Sequence, residues 1–250
     1  MSDAPLLEAR AVTKRFGHVE ALTGVDFEAR AGQVTALIGD NGAGKSTFVK
    51  IMSGAMRADG GEIRVEGTPV SFSSPHDARA AGIETVYQDL SVAPELSPPA
   101  NVFMGRELLL PGWLGRLGFL DKPAMRRQSE QAFGRLRVTL KDIDAPVASL
   151  SGGQRQSVSI CRSVLFARRV LFMDEPTAAL GVVQTRRTLD LIRRIRDLGL
   201  AVVLISHNMR DVLEVADLVE VLRLGRRVAR LRGPDATLQD LVAAMTGGTG

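Results

Sequence analysis

Short apolar runs separated by polar and glycine-rich stretches make up the pattern along this chain, and they predict β-strands joined by turns and helices. Val34–Ile38, the run 170–173 and Ala201–Ile205 are apolar at nearly every position, which is typical of strands buried on both faces of a sheet. A helical pattern over 183–198 lies between the second and the third of these strands. Because a strand–helix–strand order makes neighbouring strands parallel, we predict a covered parallel sheet.

Weaker patterns predict the other strands and helices. Further strands are expected at 6–12, 25–29, 63–65, 70–72, 83–87, 218–222 and 227–231. The first two alternate enough for a small sheet, and a turn at 67–69 joins the strands on either side of it. Helices are expected at 45–52, where Gly54 closes the helix, and at 75–81 and 238–245.

Helical periodicity dominates from about residue 97 to residue 168, as in the stretch 125–136, and predicts a helical subdomain within the chain. Inside it, residues 108–120 are apolar, rich in glycine and carry the only tryptophan, Trp113. Two interpretations of this segment remain open: contact with a membrane or a membrane partner, and a packed loop.

The length and composition are those of one folded α/β domain. The 250 residues are 45% apolar and 24% charged, which is enough for a substantial core. No internal repeat is present, so we expect a single domain over 1–246 and a flexible tail over 247–250. The net charge of +4, carried mostly by arginine, would suit nucleic acid or an anionic membrane surface; we favour a solvated basic surface around a phosphate site.

Cysteine usage and the terminus indicate the compartment. Cys161 is the only cysteine, so the chain cannot form an internal disulfide, which fits a reducing cytosol. The first residues lack a basic stretch followed by an apolar one, and we expect no signal peptide. No apolar run approaches the roughly 20 residues that span a bilayer. If the protein serves a membrane, its partners must supply the spanning helices.

A glycine-rich loop follows the strand Val34–Ile38 and fits the phosphate-binding pattern G-x-x-x-x-G-K-[ST] without a mismatch. It consists of Gly39, Asp40, Asn41, Gly42, Ala43, Gly44, Lys45, Ser46 and Thr47. Glycines let backbone N–H groups come close to phosphates, and the following helix adds its positive end. We expect Lys45 to bridge the β- and γ-phosphates and the Ser46 hydroxyl to ligate Mg²⁺. The loop therefore predicts a nucleoside triphosphate site.

Two adjacent acids, Asp174 and Glu175, end the apolar run 170–173. Burial of ionised carboxylates without a partner is costly, so acids at a strand end indicate a bound cation. We expect Asp174 to act on the magnesium side through water, and Glu175 to be the base that orients and deprotonates the attacking water. A helix N-terminus, where acids are also stable, is the alternative, and the phosphate-binding loop argues against it.

A second motif consists of Leu150, Ser151, Gly152, Gly153 and Gln154 and precedes a predicted helix. Exposed N–H groups and a hydroxyl at a helix start can bind a phosphate, although a bare helix cap would also suit the two glycines. With the phosphate-binding loop, this motif resembles the ATP-binding cassette (ABC) ATPases, most of which drive transport across membranes. The resemblance covers about residues 6–232. It implies an α/β fold: a P-loop NTPase cassette with a RecA-like parallel-sheet core, a small antiparallel β-subdomain and an α-helical subdomain.

The resemblance implies roles for further residues. In ABC proteins the segment 151–154 grips the ATP held by the other subunit, so that two nucleotides lie between two cassettes arranged head to tail. Gln88 fits the family's glutamine loop, which senses the γ-phosphate and Mg²⁺ and faces the membrane partner. His207 fits the switch histidine that contacts the γ-phosphate. Phe16 stands where the family places an aromatic ring that stacks on adenine, and a core phenylalanine is the alternative.

The finer sequence resembles bacterial sugar-import ATPases for monosaccharides such as ribose, xylose, galactose or fructose. The segments that carry this likeness are 39–47, 82–83, 88–90, 101–107 and 205–209. The resemblance implies the ATP-binding subunit of an ABC importer, peripheral on the cytoplasmic face of the bacterial inner membrane, that uses ATP and Mg²⁺. It also implies a second ATPase subunit, most simply in a homodimer, transmembrane permease subunits, a periplasmic sugar-binding protein that acts indirectly, and no nucleic acid.

Other functional classes and one departure from the family pattern bear on this expectation. A soluble ABC ATPase outside transport usually carries two cassettes or a long coiled-coil insertion, which are not seen here, while an importer for a non-sugar solute stays open. A P-loop kinase or GTPase would not need the motif 150–154. Gly181 stands where most ABC proteins have an aspartate that couples the two sites across the dimer. That cross-talk is therefore in doubt, although hydrolysis should survive.

Overall fold

The computed structural model, which describes residues 4–89, 91–178 and 180–247, consists of two sheets and a layer of helices. Its strands are β1 (Leu7–Phe16), β2 (Val19–Ala29), β3 (Val34–Ile38), β4 (Gly60–Val65), β5 (Thr68–Val70), β6 (Ile83–Val86), β7 (Val170–Asp174), β8 (Ala201–Ile205), β9 (Leu218–Arg223) and β10 (Arg226–Arg232). Its helices are α1 (Lys45–Met52), α2 (Pro75–Ala80), α3 (Pro98–Phe103), α4 (Trp113–Arg116), α5 (Lys122–Arg135), α6 (Gly152–Phe166), α7 (Val182–Asp197), α8 (Met209–Val215) and α9 (Leu238–Thr246).

The larger sheet has six strands in the order β10-β9-β3-β8-β7-β6, and all neighbours are parallel except in the β9–β10 hairpin. This confirms the predicted parallel-sheet core. Leu37 of β3 and Val203 of β8 belong to the core shared with α1, whereas Val202 and Leu204 belong to the core beneath the helical layer. Because both faces of the sheet are covered, its central strands are apolar at nearly every position.

The smaller sheet is antiparallel, in the order β2-β1-β4-β5, and its core includes α1, where the rings of Phe27 and Phe48 lie 5.1 Å apart. The two strands predicted on either side of a turn are present, but the bounds predicted for the second strand, 70–72, and for the turn, 67–69, lie too far along the chain. The turn consists of Glu66 and Gly67, which both have positive φ, as a two-residue type I′ hairpin turn requires. Pro69 lies within β5, where it is tolerated because β5 is an edge strand.

The first hairpin is longer than its sequence pattern indicated. β1 extends to Phe16, whereas the predicted strand ends at residue 12. β2 begins at Val19, whereas the predicted strand begins at residue 25. The added residues are mostly exposed or half-buried, so they carry no apolar alternation that would reveal a strand. Strand pairing across the hairpin holds them instead.

Helices α3 to α6 form a layer on the chain between β6 and β7, around a core that includes an edge-to-face pair of Phe103 and Phe166 with ring centroids 5.8 Å apart. α5 begins earlier than the predicted stretch because Asp121 caps it, accepting a hydrogen bond from the Ala124 N–H. Residues 108–120 form a hairpin with α4 at its tip. No helix in the described ranges has the length and hydropathy needed to cross a membrane.

The end of the chain contains one helix that the pattern did not predict. α8 has only seven residues, too few for a clear periodicity, and Asn208 caps it through the Arg210 N–H. α9 ends at Gly247, a left-handed C-cap with φ 78°. The rest of the predicted tail, 248–250, lies outside the described residues, as do Ala179 and Leu90, the last residue of the segment 88–90.

Candidate functional site

The register of the larger sheet brings the predicted site residues from four strands to one edge. Leu37 of β3 and Asp174 of β7 both pair with Ile205 of β8, and Val86 of β6 pairs with Met173 of β7. Since these strands are parallel, the segments that follow them leave the sheet on the same side, which is where ligands bind in open α/β sheets. That edge carries the phosphate-binding loop together with Gln88, Asp174, Glu175 and His207.

Glycine conformation shapes the phosphate-binding loop between β3 and α1. Gly39, Gly42 and Gly44 have φ values of 151°, 81° and 103°. A Cβ atom at Gly39 would lie 2.2 Å from the carbonyl oxygen of Leu222, and one at Gly44 would lie 2.6 Å from that of Ala21. Both positions therefore require glycine. Gly44 precedes α1 without a side-chain cap, which leaves the first N–H groups of this helix available to an anion.

The ammonium group of Lys45 is held inside this loop. Its Nζ donates hydrogen bonds to the carbonyl oxygens of Gly39, over 2.6 Å, and Asp40, over 3.0 Å. Burial lowers the pKa of Lys45 from its usual value, and the negative charges of Glu175, Asp40 and Asp174 oppose that shift. The cation therefore lies close to the acids at the end of β7, in a position where it can meet the phosphates of a nucleotide.

The other loop residues differ in how far they are exposed. Ala43 is buried and Thr47 is half-buried, whereas the remaining four are exposed: Asp40, Asn41, Gly42 and Ser46. The turn between β9 and β10 braces the loop from behind, because the N–H of Gly225 donates to the carbonyl oxygen of Ala43 over 3.1 Å. The carbonyl oxygen of Gly225 in turn accepts from the N–H of Thr23 in β2. No sequence motif indicated this brace.

Glu175 and His207 contact each other across the ends of β7 and β8. The Oε1 atom of Glu175 lies 2.8 Å from Nδ1 of His207 and accepts the backbone N–H of His207 over 3.0 Å. Glu175 has φ 49°, an uncommon conformation for a residue other than glycine, and its own N–H donates to the carbonyl oxygen of Ile205. The His207 ring is otherwise 74% exposed, so its Nε2 side is open to a ligand.

The residues proposed for the metal fit a magnesium ion bound together with phosphates. Burial, and then the nearby charge of Glu175, raises the pKa of Asp174. A carboxylate destabilised in this way favours a cation beside it. In the described ranges no group of three His, Cys, Asp or Glu side chains could hold a metal alone. Mg²⁺ is usually held by one or two carboxylates plus substrate phosphates, so this donor set suits it.

Gln88 and Phe16 are both exposed. Gln88 lies two residues beyond the end of β6, the strand that pairs with β7. Phe16 ends β1 and is 47% exposed, which is inconsistent with the alternative of a core phenylalanine. The Lys14 ammonium lies 5.8 Å from the centre of the Phe16 ring. A partly exposed ring is therefore present at the position expected for the adenine contact, with the Lys14 ammonium over one of its faces.

The motif 150–154 begins α6, and Ser151 is its N-cap. The Ser151 hydroxyl accepts from the Gln154 N–H, and Gln154 Oε1 accepts from the Ser151 N–H, so the two residues form a capping box. Ser151 and Gly152 are exposed. A pocket of about 400 Å³ is lined by Ser151, Gly153, Gln154 and residues of α7, among others, and no residue of the phosphate-binding loop lines it. Within one chain the two motifs therefore belong to different surfaces.

Thr177 and Asp211, which lie close in sequence to Glu175 and His207, were not singled out from the sequence. The Oγ1 atom of Thr177 donates to Oδ2 of Asp211 over 2.7 Å, and both side chains are buried. Asp211 lies in the first turn of α8, where an acid is common for helix stability alone, so the sequence carried no signal of this contact. The bond links the segment after Glu175 to the helix after His207.

Gly181 is the N-cap of α7, with φ −72° and ψ 163°. These angles are ordinary for any residue, so the backbone conformation does not require glycine at this position. A Cβ atom there would lie 2.9 Å from Oε1 of Gln184, the free end of a flexible side chain. The structure accommodates a larger residue at Gly181.

Comparison with known proteins agrees with this geometry. The family model described as "ABC transporter" matches residues 22–178. The fructose import ATP-binding protein FrcA of Rhizobium meliloti is 50% identical over 249 residues, covering 99% of this chain and 96% of the relative. The xylose/arabinose import ATP-binding protein XylG of Sulfolobus acidocaldarius is 44% identical over 246 residues, covering 98% and 95%.

A solved structure shares the fold. A crystal structure of the ADP conformation of an ATP-binding cassette of an ABC transporter has a TM-score of 0.82 and 24% identity, covering 98% of this chain and 96% of that one. The parallel core, the antiparallel sheet and the helical layer are those of this fold. On its motifs, its fold and its relatives, the chain belongs to the ABC transporter family as an ATP-binding cassette, a protein that binds and hydrolyses ATP.

Proposed function

We propose that this chain is the ATP-binding subunit of an ABC importer that takes up a sugar, a monosaccharide in particular. The observation that carries the proposal is the meeting of Glu175, His207 and Lys45 at one sheet edge, behind a glycine loop shaped for phosphate. The relatives named for fructose and for xylose/arabinose import, which this chain matches over nearly its whole length, support the sugar class.

Lys45 and the loop residues would bind the phosphates. The Lys45 ammonium already lies on the loop's own carbonyl oxygens, and it would exchange part of this contact for the β- and γ-phosphates. The backbone N–H groups of residues 40–44 and the first turn of α1 would provide further donors. Ser46, Asp174 and Gln88 would hold Mg²⁺, directly or through water. Mg²⁺, when bound, neutralises charge on the phosphate oxygens.

Glu175 would act as the general base. Its carboxylate is fixed by the backbone N–H and Nδ1 of His207, which orient one oxygen and leave the other for a water molecule. His207 would contact the γ-phosphate through its exposed Nε2 side. A base held at a defined position typically contributes 10²–10⁴-fold to the rate. Phe16 would stack on adenine through its exposed ring, for about 1–3 kcal/mol.

Two copies of the cassette would complete each site. Ser151, Gly153 and Gln154 line a pocket that no residue of their own chain's phosphate-binding loop lines, and Gly152 is exposed beside them. The exposed start of α6 would therefore bind the ATP held by a second cassette, in a head-to-tail dimer, most simply of identical chains.

The proposed setting is the cytoplasmic face of an inner membrane. Permease subunits would supply the membrane-spanning helices and a periplasmic sugar-binding protein would deliver the sugar, so that the choice of sugar lies with these partners. Gln88, exposed at the end of β6, would face the permease as well as the γ-phosphate.

The test is ATP hydrolysis by the purified chain together with its permease, measured with a panel of monosaccharides and the corresponding binding protein. We expect one monosaccharide to stimulate hydrolysis and Lys45→Ala to abolish it. Lys141→Ala is the matched control, because it removes an exposed lysine outside the phosphate-binding loop, and it should retain activity. Near-normal hydrolysis in Lys45→Ala would refute the site assignment, whereas stimulation only by a non-sugar solute would refute the substrate class.

A further inference from the structure

The hairpin formed by residues 108–120 is an ordered structure. The Leu110 N–H donates to the carbonyl oxygen of Phe119 over 2.9 Å, and the Asp121 N–H donates to that of Leu108 over 2.7 Å. α4 closes the tip, and Gly115 packs so tightly there that a Cβ atom would lie 1.9 Å from the carbonyl oxygen of Leu110. Its side chains are therefore presented from a defined backbone.

This hairpin presents large apolar side chains to solvent. The exposed fractions are 53% for Leu109, 69% for Trp113, 65% for Leu117, 53% for Phe119 and 38% for Leu120. Single exposed apolar residues are ordinary on a protein surface, but five within twelve residues of one hairpin mark a surface that something covers. The packed-loop interpretation accounts for Leu108, which joins the core, and leaves these five unexplained.

The charges next to the hairpin identify the chemistry of its partner. Both nearby acids are engaged locally: Glu107 accepts the Gly105 N–H and Asp121 accepts the Ala124 N–H. Three bases, Arg116, Lys122 and Arg127, make no side-chain hydrogen bond or ion pair with any residue of the described ranges. With three such bases against two acids, the hairpin combines exposed aromatic and aliphatic groups with an excess of positive charge.

We propose that the hairpin 108–120 inserts into the interface of an anionic phospholipid bilayer. Trp and Phe beside Arg and Lys are the composition that lies at the boundary between headgroups and acyl chains. A lipid surface satisfies the apolar groups and the three cations together, with no acidic protein surface required. This contact goes beyond the proposed transport function, because it links the cassette to the membrane directly.

Trp113 is the only tryptophan in the chain, so its fluorescence reports on the hairpin alone. The protein is mixed with vesicles of phosphatidylethanolamine and phosphatidylglycerol, or of phosphatidylcholine, and its emission and co-sedimentation are recorded. We expect a shift of the emission to shorter wavelength and binding only with the anionic vesicles. Since each basic residue near an anionic surface is worth about 1 kcal/mol, Arg116→Ala and Lys122→Ala should each weaken binding about fivefold.

Matched variants separate insertion from a general change in the protein. Leu117→Ser with Phe119→Ser keeps Trp113 and should lose both the shift and the binding, while Leu198→Ser, an exposed leucine at the end of α7, should keep both. Basal ATP hydrolysis should be unchanged in every one of these variants, so that the result is independent of the proposed function. The absence of a shift with anionic vesicles overturns the proposal. A shift seen only with detergent-solubilised permease also overturns it, and assigns the hairpin to that protein.

Discussion

Thr177, two residues after Glu175, donates a hydrogen bond over 2.7 Å to Asp211, four residues after His207. Both side chains are buried, and the bond joins the same two segments of the chain as the direct contact between Glu175 and His207. The base and the histidine at the candidate site are therefore connected twice, once directly and once through the segments that carry them. We infer that Thr177 and Asp211 position the pair without touching the nucleotide.

Thr177→Val should lower both stability and turnover. Valine has the shape of threonine but leaves the buried Asp211 carboxyl group without its donor, which costs about 1–3 kcal/mol of unfolding free energy. We expect a lower kcat with ATP affinity retained, measured by steady-state hydrolysis and urea unfolding. Thr177→Ser keeps the hydroxyl and should restore kcat. A stability loss with unchanged kcat would mean that the bond serves folding alone.

Glu175→Gln should preserve ATP binding and nearly stop hydrolysis. The amide oxygen can still accept the two His207 bonds, but the side chain can no longer accept a proton from water. The expected loss is about 10²–10⁴-fold in kcat. The trapped protein should elute as a dimer from a size-exclusion column with ATP. Glu214→Gln, an exposed acid in α8, should behave as the unaltered protein.

Ser151→Arg should stop turnover while each monomer still binds ATP. Arginine would block the surface that meets the other subunit, but it would also remove the N-cap of α6, worth about 1 kcal/mol. Ser151→Ala removes the cap alone and separates the two effects. In a mixture of Ser151→Arg and Lys45→Ala chains, a mixed dimer contains one intact site and one with both defects. Activity in the mixture, absent from each variant, is the expected outcome, and its absence argues against shared sites.

Gly181→Asp should raise the cooperativity of hydrolysis in ATP without loss of stability. The backbone at Gly181 suits any residue, and aspartate is a better N-cap than glycine by a few tenths of a kcal/mol. The measurements are the Hill coefficient and the melting temperature. Gly181→Ala is the control, because it stiffens the backbone without adding a carboxylate. An unchanged Hill coefficient in Gly181→Asp would show that this position does not couple the sites.

Glu220 in β9 should make stability depend on pH. Its side chain is buried, 3.2 Å from Nε of Arg230, in an arrangement too poorly aligned for a hydrogen bond, and burial raises its pKa to about 7. A carboxyl group whose pKa is higher in the folded than in the unfolded protein stabilises the fold at low pH. That contribution is lost as pH rises from about 4.5 to about 7, by roughly 3 kcal/mol.

Glu220→Gln keeps the shape of the side chain and removes its titration. The difference in unfolding free energy between this variant and the unaltered protein should grow from pH 5 to pH 8, with the variant the more stable at the higher pH. Urea unfolding at several pH values measures it. A constant difference across this range would contradict the assignment of the pH dependence to Glu220.

The sequence by itself determined the parallel core and the identity of the phosphate-binding loop. Both leave a signal in a short stretch of sequence. Val34–Ile38 is continuously apolar because the strand is covered on both faces. The glycines at 39 and 44 are required by their backbone conformation and close packing. The same holds for the motif 150–154, whose capping box lies within four residues. Local physics is enough where the cause lies within one strand, loop or helix end.

Only the tertiary structure decided how these pieces meet. The contact of Glu175 with His207, the bond between Thr177 and Asp211, and the brace of Ala43 by Gly225 each join residues more than thirty positions apart. The polar extension of β1 and the turn at Glu66 and Gly67 depended on strand pairing and backbone angles that no apolar pattern records. Such contacts depend on where the fold places the ends of its strands and helices. Periodicity along the sequence reports only which side of a strand or helix is buried.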